Sequence, residues 1–133
     1  MIIVAHWDNP AALLTEKAAK KMLQRWTHTA KCFGVNEIRF VEVDPLPPHN
    51  DAEMNIAAYA TLDEALKGLK TIRYVEQGGK PLGKLPKNAA FVFGSDFSEL
   101  PRADISLNTV HGLHADMACG IVLAAWSDQW RSQ

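Results

Sequence analysis

A short polar turn that follows a buried strand is the part of this sequence best suited to binding a ligand. Residues 91–93 form an apolar run, typical of a strand covered on both faces, and Gly94, Ser95 and Asp96 end it. These residue types tolerate positive φ or hydrogen-bond to nearby backbone. An apolar segment rich in small residues follows at 112–126. Because ligands of open parallel sheets bind at the carboxyl ends of the strands, the two segments predict a pocket built largely from backbone.

The same two segments resemble the C-terminal motifs of the SPOUT-class RNA methyltransferases, in the branch that methylates ribose 2′-hydroxyls of tRNA and rRNA. That branch reads FGxE-x-x-GL, then an I-P-M strand, then SLN-x-x-x-A-x-GIVLYE. Residues 93–96 with Leu100 match the first motif and residues 105–107 fall at the strand. Leu113, Ala118 and residues 120–123 match the last motif. The upstream order is similar too, with a strand, an Asn-Pro turn, a helix ending in Phe-Gly-Val at 33–35 and a second strand.

The resemblance implies a cofactor, a substrate and an assembly. The cofactor is S-adenosylmethionine, the substrate is a tRNA or rRNA, and the chain forms a homodimer whose C-terminal segment threads a trefoil knot. The positions that match the family's cofactor pocket are Phe93, Gly94, Ser95, Asp96, Ile105, Leu107, Leu113 and Met117.

The sequence departs from the family where the RNA hydroxyl is handled. The family has an arginine six residues before the glycine of its Phe-Gly-Val segment, and an asparagine six residues before that arginine. These positions hold His28 and Met22 here. The glutamate of the first motif is Asp96, and the serine and asparagine of the last motif are Gly112 and His114.

Three residues are the candidates to replace the missing catalytic groups. Arg25 stands one helical turn before His28 on the same face, so its guanidinium can reach the place of the family's arginine. An imidazole such as that of His28 can act as a general base near neutral pH. His114 lies at the start of a helix in the matched motif. The alternative for each histidine is an ordinary surface or interface role.

Strands alternate with helices along the chain, which predicts an α/β fold with a mainly parallel sheet and helices on both faces. The length and the hydrophobic fraction of 47% predict one domain over residues 1–133. The predicted strands cover 2–5, 38–43, 71–75, 89–93 and 104–108, the helices 11–33, 61–69 and 113–131, and the loops 44–55 and 77–87.

The composition of the chain limits the cellular compartments that we expect for it. No apolar run reaches the roughly 18 residues that a membrane span needs, and the start lacks the pattern of a signal peptide. We therefore expect a cytoplasmic protein with no membrane contact. Cys32 and Cys119 lack metal-site spacing, so the expectation is two buried thiols without a metal or a disulfide.

The net charge of −1 gives no general attraction to RNA, so binding requires a local patch. Two basic groups exist, and the alternative for both is a solvated face. The 77–87 loop is the stronger RNA candidate. The first group is Lys17, Lys20, Lys21, Arg25 and Lys31, and the second is Lys67, Lys70, Arg73, Lys80, Lys84 and Lys87.

Three functional classes are therefore open. The first is an S-adenosylmethionine-dependent RNA methyltransferase. The second is a protein of the same fold that binds the cofactor, a nucleotide or RNA but has lost methyl transfer. The third is an unrelated small α/β protein.

Overall fold

The computed structural model describes residues 1–7, 15–41, 46–95 and 100–131. Nine helices and strands lie in these ranges. In chain order they are β1 (Ile2–His6), α1 (Glu16–Cys32), β2 (Glu37–Val41), β3 (Asn55–Tyr59), α2 (Leu62–Leu66), β4 (Ile72–Pro81), β5 (Ala90–Phe93), β6 (Ile105–Ser106) and α3 (Ala115–Trp130).

The strands form one six-stranded sheet in the order β3-β2-β1-β5-β4-β6. Every neighbouring pair in it is parallel. The centre of the sheet is β1 beside β5, with Ile3 opposite Phe91 and Val4 opposite Val92. All four of these side chains are fully buried. Parallel strands place their carboxyl ends at one edge of the sheet, which is where the sequence predicts the pocket.

Helices cover both faces of the sheet. Successive strand residues point to opposite faces, so Ile3 and Val4 lie in different core clusters. The Ile3 cluster contains Trp26 of α1 and Leu123 of α3, whereas the Val4 cluster contains Ala65 of α2. The predicted α/β architecture with helices on both faces is confirmed.

Helix α1 has the pattern of a surface helix. The Thr15 hydroxyl caps its start by accepting a 3.1 Å hydrogen bond from the Ala18 N–H. Its buried stripe is Leu23, Trp26 and Ala30, spaced three and four residues apart. The Trp26 ring lies 6.1 Å from the rings of both Phe40 and Phe93, which ties the helix to β2 and β5.

Helices α1 and α3 run side by side in the same direction. Arg25 of α1 forms an ion pair with Asp116 at the start of α3, where Nε lies 2.9 Å from Oδ2. At the other end of both helices, Arg131 Nη1 donates a 2.6 Å hydrogen bond to the Phe33 carbonyl oxygen. Cys119 is fully buried between these contacts, and burial raises the pKa of its thiol.

Two predicted elements differ from the structure in kind. The predictions placed no strand at 56–59, yet β3 occupies Asn55–Tyr59 as an edge strand in which no residue is fully buried. The expected 77–87 loop begins inside β4, which continues to Pro81.

Of the two cysteines, Cys119 is buried as expected, but Cys32 is exposed, so that expectation was wrong for Cys32.

The other differences concern boundaries. Helix α2 ends at Leu66, strand β6 covers only Ile105–Ser106, and α3 begins at Ala115 rather than 113. The expected first turns of the 11–33 helix and the end of the 38–43 strand lie partly outside the described residues.

Neither a membrane span nor a metal site is found in the part of the chain that the structure describes. No helix there has both the length and the apolarity needed to cross a bilayer. No three histidine, cysteine or carboxylate side chains in that part come together in a group that could hold a metal ion.

Gly34 follows α1 and is expected to be sensitive to substitution. Its φ is +73°, and an added Cβ would overlap the guanidinium of Arg131. Gly68 has a similar φ of +83° but has no atom within 4 Å of an added Cβ. We expect Gly68→Ala to lower the free energy of unfolding by about 1 kcal/mol, through backbone strain alone. Gly34→Ala should cost about 1 kcal/mol more, because it also displaces the hydrogen bond to Phe33.

Urea unfolding of the two variants measures this difference. Repeating it in an Arg131→Ala background should bring the two losses together, because the displaced contact is then absent. Equal losses in the wild-type background would show that Arg131 does not restrict this position.

Candidate functional site

A cavity of about 270 Å³ opens at the carboxyl ends of β4, β5 and β6, beside the first turn of α3. This volume is near the lower end of small-molecule sites, roughly 300 Å³. Strand β5 and its turn contribute Phe93, Gly94 and Ser95, and the first turn of α3 contributes Ala115 and Ala118. The cavity therefore combines a backbone turn with small apolar side chains.

A bulge in β4 supplies one wall. Val75 and Lys80 both pair with Ile105 of β6, so the four residues between them leave the regular ladder. Gly78 in this bulge has a φ of +91°. The bulge carries Glu76 and Gln77 into the cavity lining. The sequence interpretation missed both residues, because Gly78-Gly79 followed by Lys80 and Pro81 has the composition of a loop.

Gly79 makes this geometry possible through its missing side chain. An added Cβ would lie 2.7 Å from the Ile105 backbone nitrogen and 2.8 Å from its carbonyl carbon. Strand β6 is further fixed to β4 by Asp104, whose Oδ2 accepts a 2.8 Å hydrogen bond from the Tyr74 N–H. Burial opposes ionisation of Asp104, but this bond and the Arg102 guanidinium outweigh it and hold the pKa of the carboxyl below its usual value.

The segment between β6 and α3 closes the cavity. Leu107, Thr109, Gly112 and Leu113 line it, and the Thr109 N–H donates a 2.9 Å hydrogen bond to the Leu107 carbonyl oxygen. An added Cβ at Gly112 would lie 3.4 Å from Gln77 Nε2, so this segment and the β4 bulge are close neighbours.

Most of the predicted cofactor positions surround this cavity. Phe93, Gly94, Ser95, Leu107 and Leu113 line it. Ile105 is buried in the core and Met117 is 57% exposed, and neither lines the cavity. Asp96 lies outside the described residues.

Comparison with known proteins gives a match in structure only. No protein-family model and no curated protein matches the sequence. The TrmH/SpoU tRNA modifying enzyme of A. aeolicus superposes with a TM-score of 0.69 over 98% of this chain and 75% of that one, at 13% identity. This chain has the TrmH/SpoU fold.

Other structures with the TrmH/SpoU fold give the same result. An RNA 2′-O ribose methyltransferase matches all of this chain and 57% of its own length, with a TM-score of 0.68 and 18% identity. A Legionella pneumophila protein, described as a methyltransferase and solved with bound S-adenosylmethionine, matches 96% of this chain and 65% of its own, with a TM-score of 0.61 and 10% identity. The chain thus spans about three fifths of the length of these two structures.

None of the three catalytic candidates is in the described lining of the cavity. Arg25 is held by Asp116, which directly follows the cavity residue Ala115. His114 is the N-cap residue of α3, but its exposed side chain makes no capping hydrogen bond. His28 lies one turn beyond Arg25 and is exposed, with Nε2 3.6 Å from Cys32 Sγ.

The basic residues also have defined positions on the TrmH/SpoU fold. Lys31 is engaged by Asp51 at 3.1 Å and by Glu53 at 3.5 Å. The hydrogen bond that Lys31 Nζ donates to the Asp51 carboxylate raises the pKa of Lys31. Lys80, Lys84 and Lys87 are exposed and form no ion pair with the described residues.

The segment at 83–87 is fastened to α3 by four hydrogen bonds. Trp130 Nε1 donates to the Leu85 carbonyl oxygen at 2.7 Å, and Trp126 Nε1 donates to that of Lys87 at 2.9 Å. The Gln129 amide accepts from the Leu85 N–H at 2.7 Å and donates to the Gly83 carbonyl oxygen at 2.9 Å. Lys84 and Lys87 are thus presented by a segment with a fixed backbone.

The close approach of Gly79 to β6 can be tested by comparing substitutions at Gly79, in β4, and at Gly83, which follows β4. Gly79→Ala should lower the free energy of unfolding by about 2 kcal/mol, because β6 must move away from β4. Gly83→Ala should stay within about 0.5 kcal/mol, since its added Cβ would be 3.9 Å from the nearest atom. Denaturant unfolding compares the two, and equal stability would contradict the contact between Gly79 and Ile105.

Proposed function

We propose that this protein binds S-adenosylmethionine in the cavity and transfers the methyl group to an RNA, at a ribose 2′-hydroxyl of a tRNA or rRNA. The observation that supports this most strongly is the lining of the cavity. Five of the positions for which the sequence resemblance predicts cofactor contacts belong to it, in a TrmH/SpoU fold, namely Phe93, Gly94, Ser95, Leu107 and Leu113. Two solved neighbours with this fold are described as a tRNA modifying enzyme and as an RNA 2′-O ribose methyltransferase.

The lining fits an adenosine-containing cofactor. Leu107, Leu113 and Ala118 offer apolar surface for a planar base. Ser95 and Ser106 offer hydroxyl groups, and the turn at Gly94 offers backbone, for ribose hydroxyls and the ring nitrogens. The cofactor supplies an activated methyl group on a sulfonium, and the protein must place the RNA hydroxyl in line with it.

Arg25 is the side chain that we propose to stabilise the reacting hydroxyl. The ion pair with Asp116 fixes its guanidinium near the first turn of α3, next to the cavity. A guanidinium remains charged at neutral pH and stabilises the negative charge that develops on the oxygen. His28 and His114 are the proposed proton acceptors, and both have exposed imidazoles.

The RNA is proposed to contact the segment that carries Lys84 and Lys87, because these side chains are exposed and form no ion pair with the described residues. The Lys84 ammonium lies 5.8 Å from the centroid of the Trp130 ring. A fixed backbone lowers the entropy lost when such a segment binds phosphates. We propose that the reaction takes place in the cytoplasm, on RNA that is delivered to this surface.

A homodimer is proposed from the exposed face of α3. Met117 and Ile121 are spaced four residues apart on this face, and they are 57% and 42% exposed. Helix α3 is apolar on nearly all sides, and a helix of this kind is normally buried on each of its sides. A second copy of the chain supplies that cover, and a trefoil knot in the C-terminal segment belongs to the same proposal.

The alternative function is cofactor or RNA binding without methyl transfer. It is favoured by the substitution of the family's arginine and asparagine with His28 and Met22. It is also favoured by the exposed position of His28, which does not line the cavity.

Filling the cavity should block cofactor binding. Ala118 lines it, whereas Ala58 is exposed on the edge strand β3, at the opposite end of the strand order from β4 and β6. We expect Ala118→Leu to weaken S-adenosylmethionine binding by about tenfold or more in isothermal titration, and Ala58→Leu to leave it unchanged. Full affinity in a folded Ala118→Leu variant would place the ligand elsewhere.

Separating binding from transfer distinguishes the proposed function from its alternative. Arg25→Ala should reduce methyl transfer to unmodified bulk tRNA or rRNA by about a hundredfold, while cofactor affinity stays near that of the wild type. His28→Ala should give a similar but smaller loss. Tritium transfer from labelled S-adenosylmethionine measures the rate. Normal rates in both variants would exclude α1 from the chemistry, and cofactor binding without transfer in the wild type would favour the alternative.

A further inference from the structure

Glu76 is the charged side chain in the lining that the described residues give to the cavity. The other polar side chains there, among them Gln77, Ser95, Ser106 and Thr109, are neutral. The motifs that this sequence shares with the SPOUT class predict no acidic residue at position 76. Its presence therefore gives information about the ligand beyond what the fold gives.

The β4 bulge determines where this carboxylate lies. Residues 76–79 leave the ladder between the two pairings with Ile105, and Gly79 holds the bulge against the backbone of β6. Glu76 is half-buried, and its Oε1 accepts a 3.0 Å hydrogen bond from the Gln77 N–H. This bond folds the side chain back over its own bulge and leaves the second carboxylate oxygen for a ligand.

Glu76 has no positively charged partner among the described residues. Two neighbouring cations have other contacts, and Lys80, at the far end of the bulge, forms no ion pair with the described residues. Arg73 Nη1 donates to the Ile72 carbonyl oxygen at 3.0 Å, and Arg102 forms an ion pair with Asp104 at 3.0 Å. An unbalanced carboxylate in a partly enclosed cavity attracts a cation more strongly than the same group in bulk water.

The wall formed by the start of α3 has the reverse polarity. Ala115 and Ala118 belong to the first turn of α3, where the helix carries a partial positive charge. A ligand with separate positive and negative groups thus has a complement on each wall. S-adenosylmethionine has this distribution, with a sulfonium and an ammonium beside a carboxylate.

We infer that Glu76 determines specificity for the charged form of the cofactor, by stabilising the sulfonium of S-adenosylmethionine over the neutral thioether of S-adenosylhomocysteine. This inference rests on the proposed function. During transfer the carbon–sulfur bond breaks with its electron pair left on sulfur, a carbon–oxygen bond forms, and the hydroxyl proton passes to a base. The product therefore loses the charge that Glu76 recognises, which promotes its exchange for new cofactor.

The test is the ratio of the two affinities in Glu76→Gln. The amide keeps the size of the side chain and can still accept from the Gln77 N–H, while the charge is removed. Glu64→Gln is the matched control, because Glu64 is exposed on α2, which packs on the other face of the sheet. Unfolding curves verify that both variants are folded.

In isothermal titration we expect the wild type and Glu64→Gln to bind S-adenosylmethionine about tenfold more tightly than S-adenosylhomocysteine. Glu76→Gln should lose about tenfold for the first ligand and less than about twofold for the second. Equal weakening of both ligands overturns the inference, because the carboxylate would then bind a group that the two share. The inference is also overturned if Glu76→Gln has the same ratio of the two affinities as the wild type. Tighter binding of S-adenosylhomocysteine than of S-adenosylmethionine by the wild type overturns it as well. If the wild type binds neither ligand, the proposed function fails and this inference fails with it.

Discussion

The close contact between Gly79 and the backbone of Ile105 decides where this protein has a cavity. It lets β4 and β6 pair on both sides of a bulge, at Val75 and again at Lys80. Without that contact β6 could not run beside β4, and the segment from β6 to α3 would not face the turn after β5. The cavity thus depends on an absent side chain, since any Cβ at this position meets main-chain atoms that cannot rotate away.

The packing of α1 against α3 is the second constraint on the site. The two helices are joined near one end by Arg25 and Asp116 and at the other by Arg131 and the Phe33 carbonyl oxygen. Between these contacts, an added Cβ at Gly120 would be 3.7 Å from the Thr29 side chain. The exposed ion pair adds little stability by itself, so buried residues such as Trp26 and Leu123 must hold the two helices together. What the ion pair does determine is the direction of the Arg25 guanidinium.

The sequence predicts the elements that are buried on both sides or strongly amphipathic. Strands β1 and β5 are apolar runs, and α1 has a buried stripe at helical spacing, so their patterns are unambiguous. Strand β3 is an edge strand with alanines and partly exposed side chains, and such a segment has no clear period. The β4 bulge contains two glycines before a lysine and a proline, a composition typical of loops.

The residues of the candidate site also divide into those that the sequence predicts and those that it does not. Phe93, Gly94 and Ser95 were predictable because they follow a buried strand, and Leu107 and Leu113 were predictable from the matched motifs. Glu76 and Gln77 were not, because their position depends on how far β4 pairs with β6, which no local pattern records. Arg25 was selected by its spacing from His28, but its partner Asp116 is 91 residues away in the sequence. Contacts at such separations are set by the packing of whole helices.

The fastening of residues 83–87 by Trp126, Gln129 and Trp130 also has a consequence for the order of folding. The four hydrogen bonds link groups that are 39 to 46 residues apart. During synthesis the lysine-bearing segment leaves the ribosome well before the last turns of α3 that hold it. A nascent chain that already contains β1 to β5 must therefore keep this segment loose, and it becomes a rigid surface only after α3 has been made and has docked.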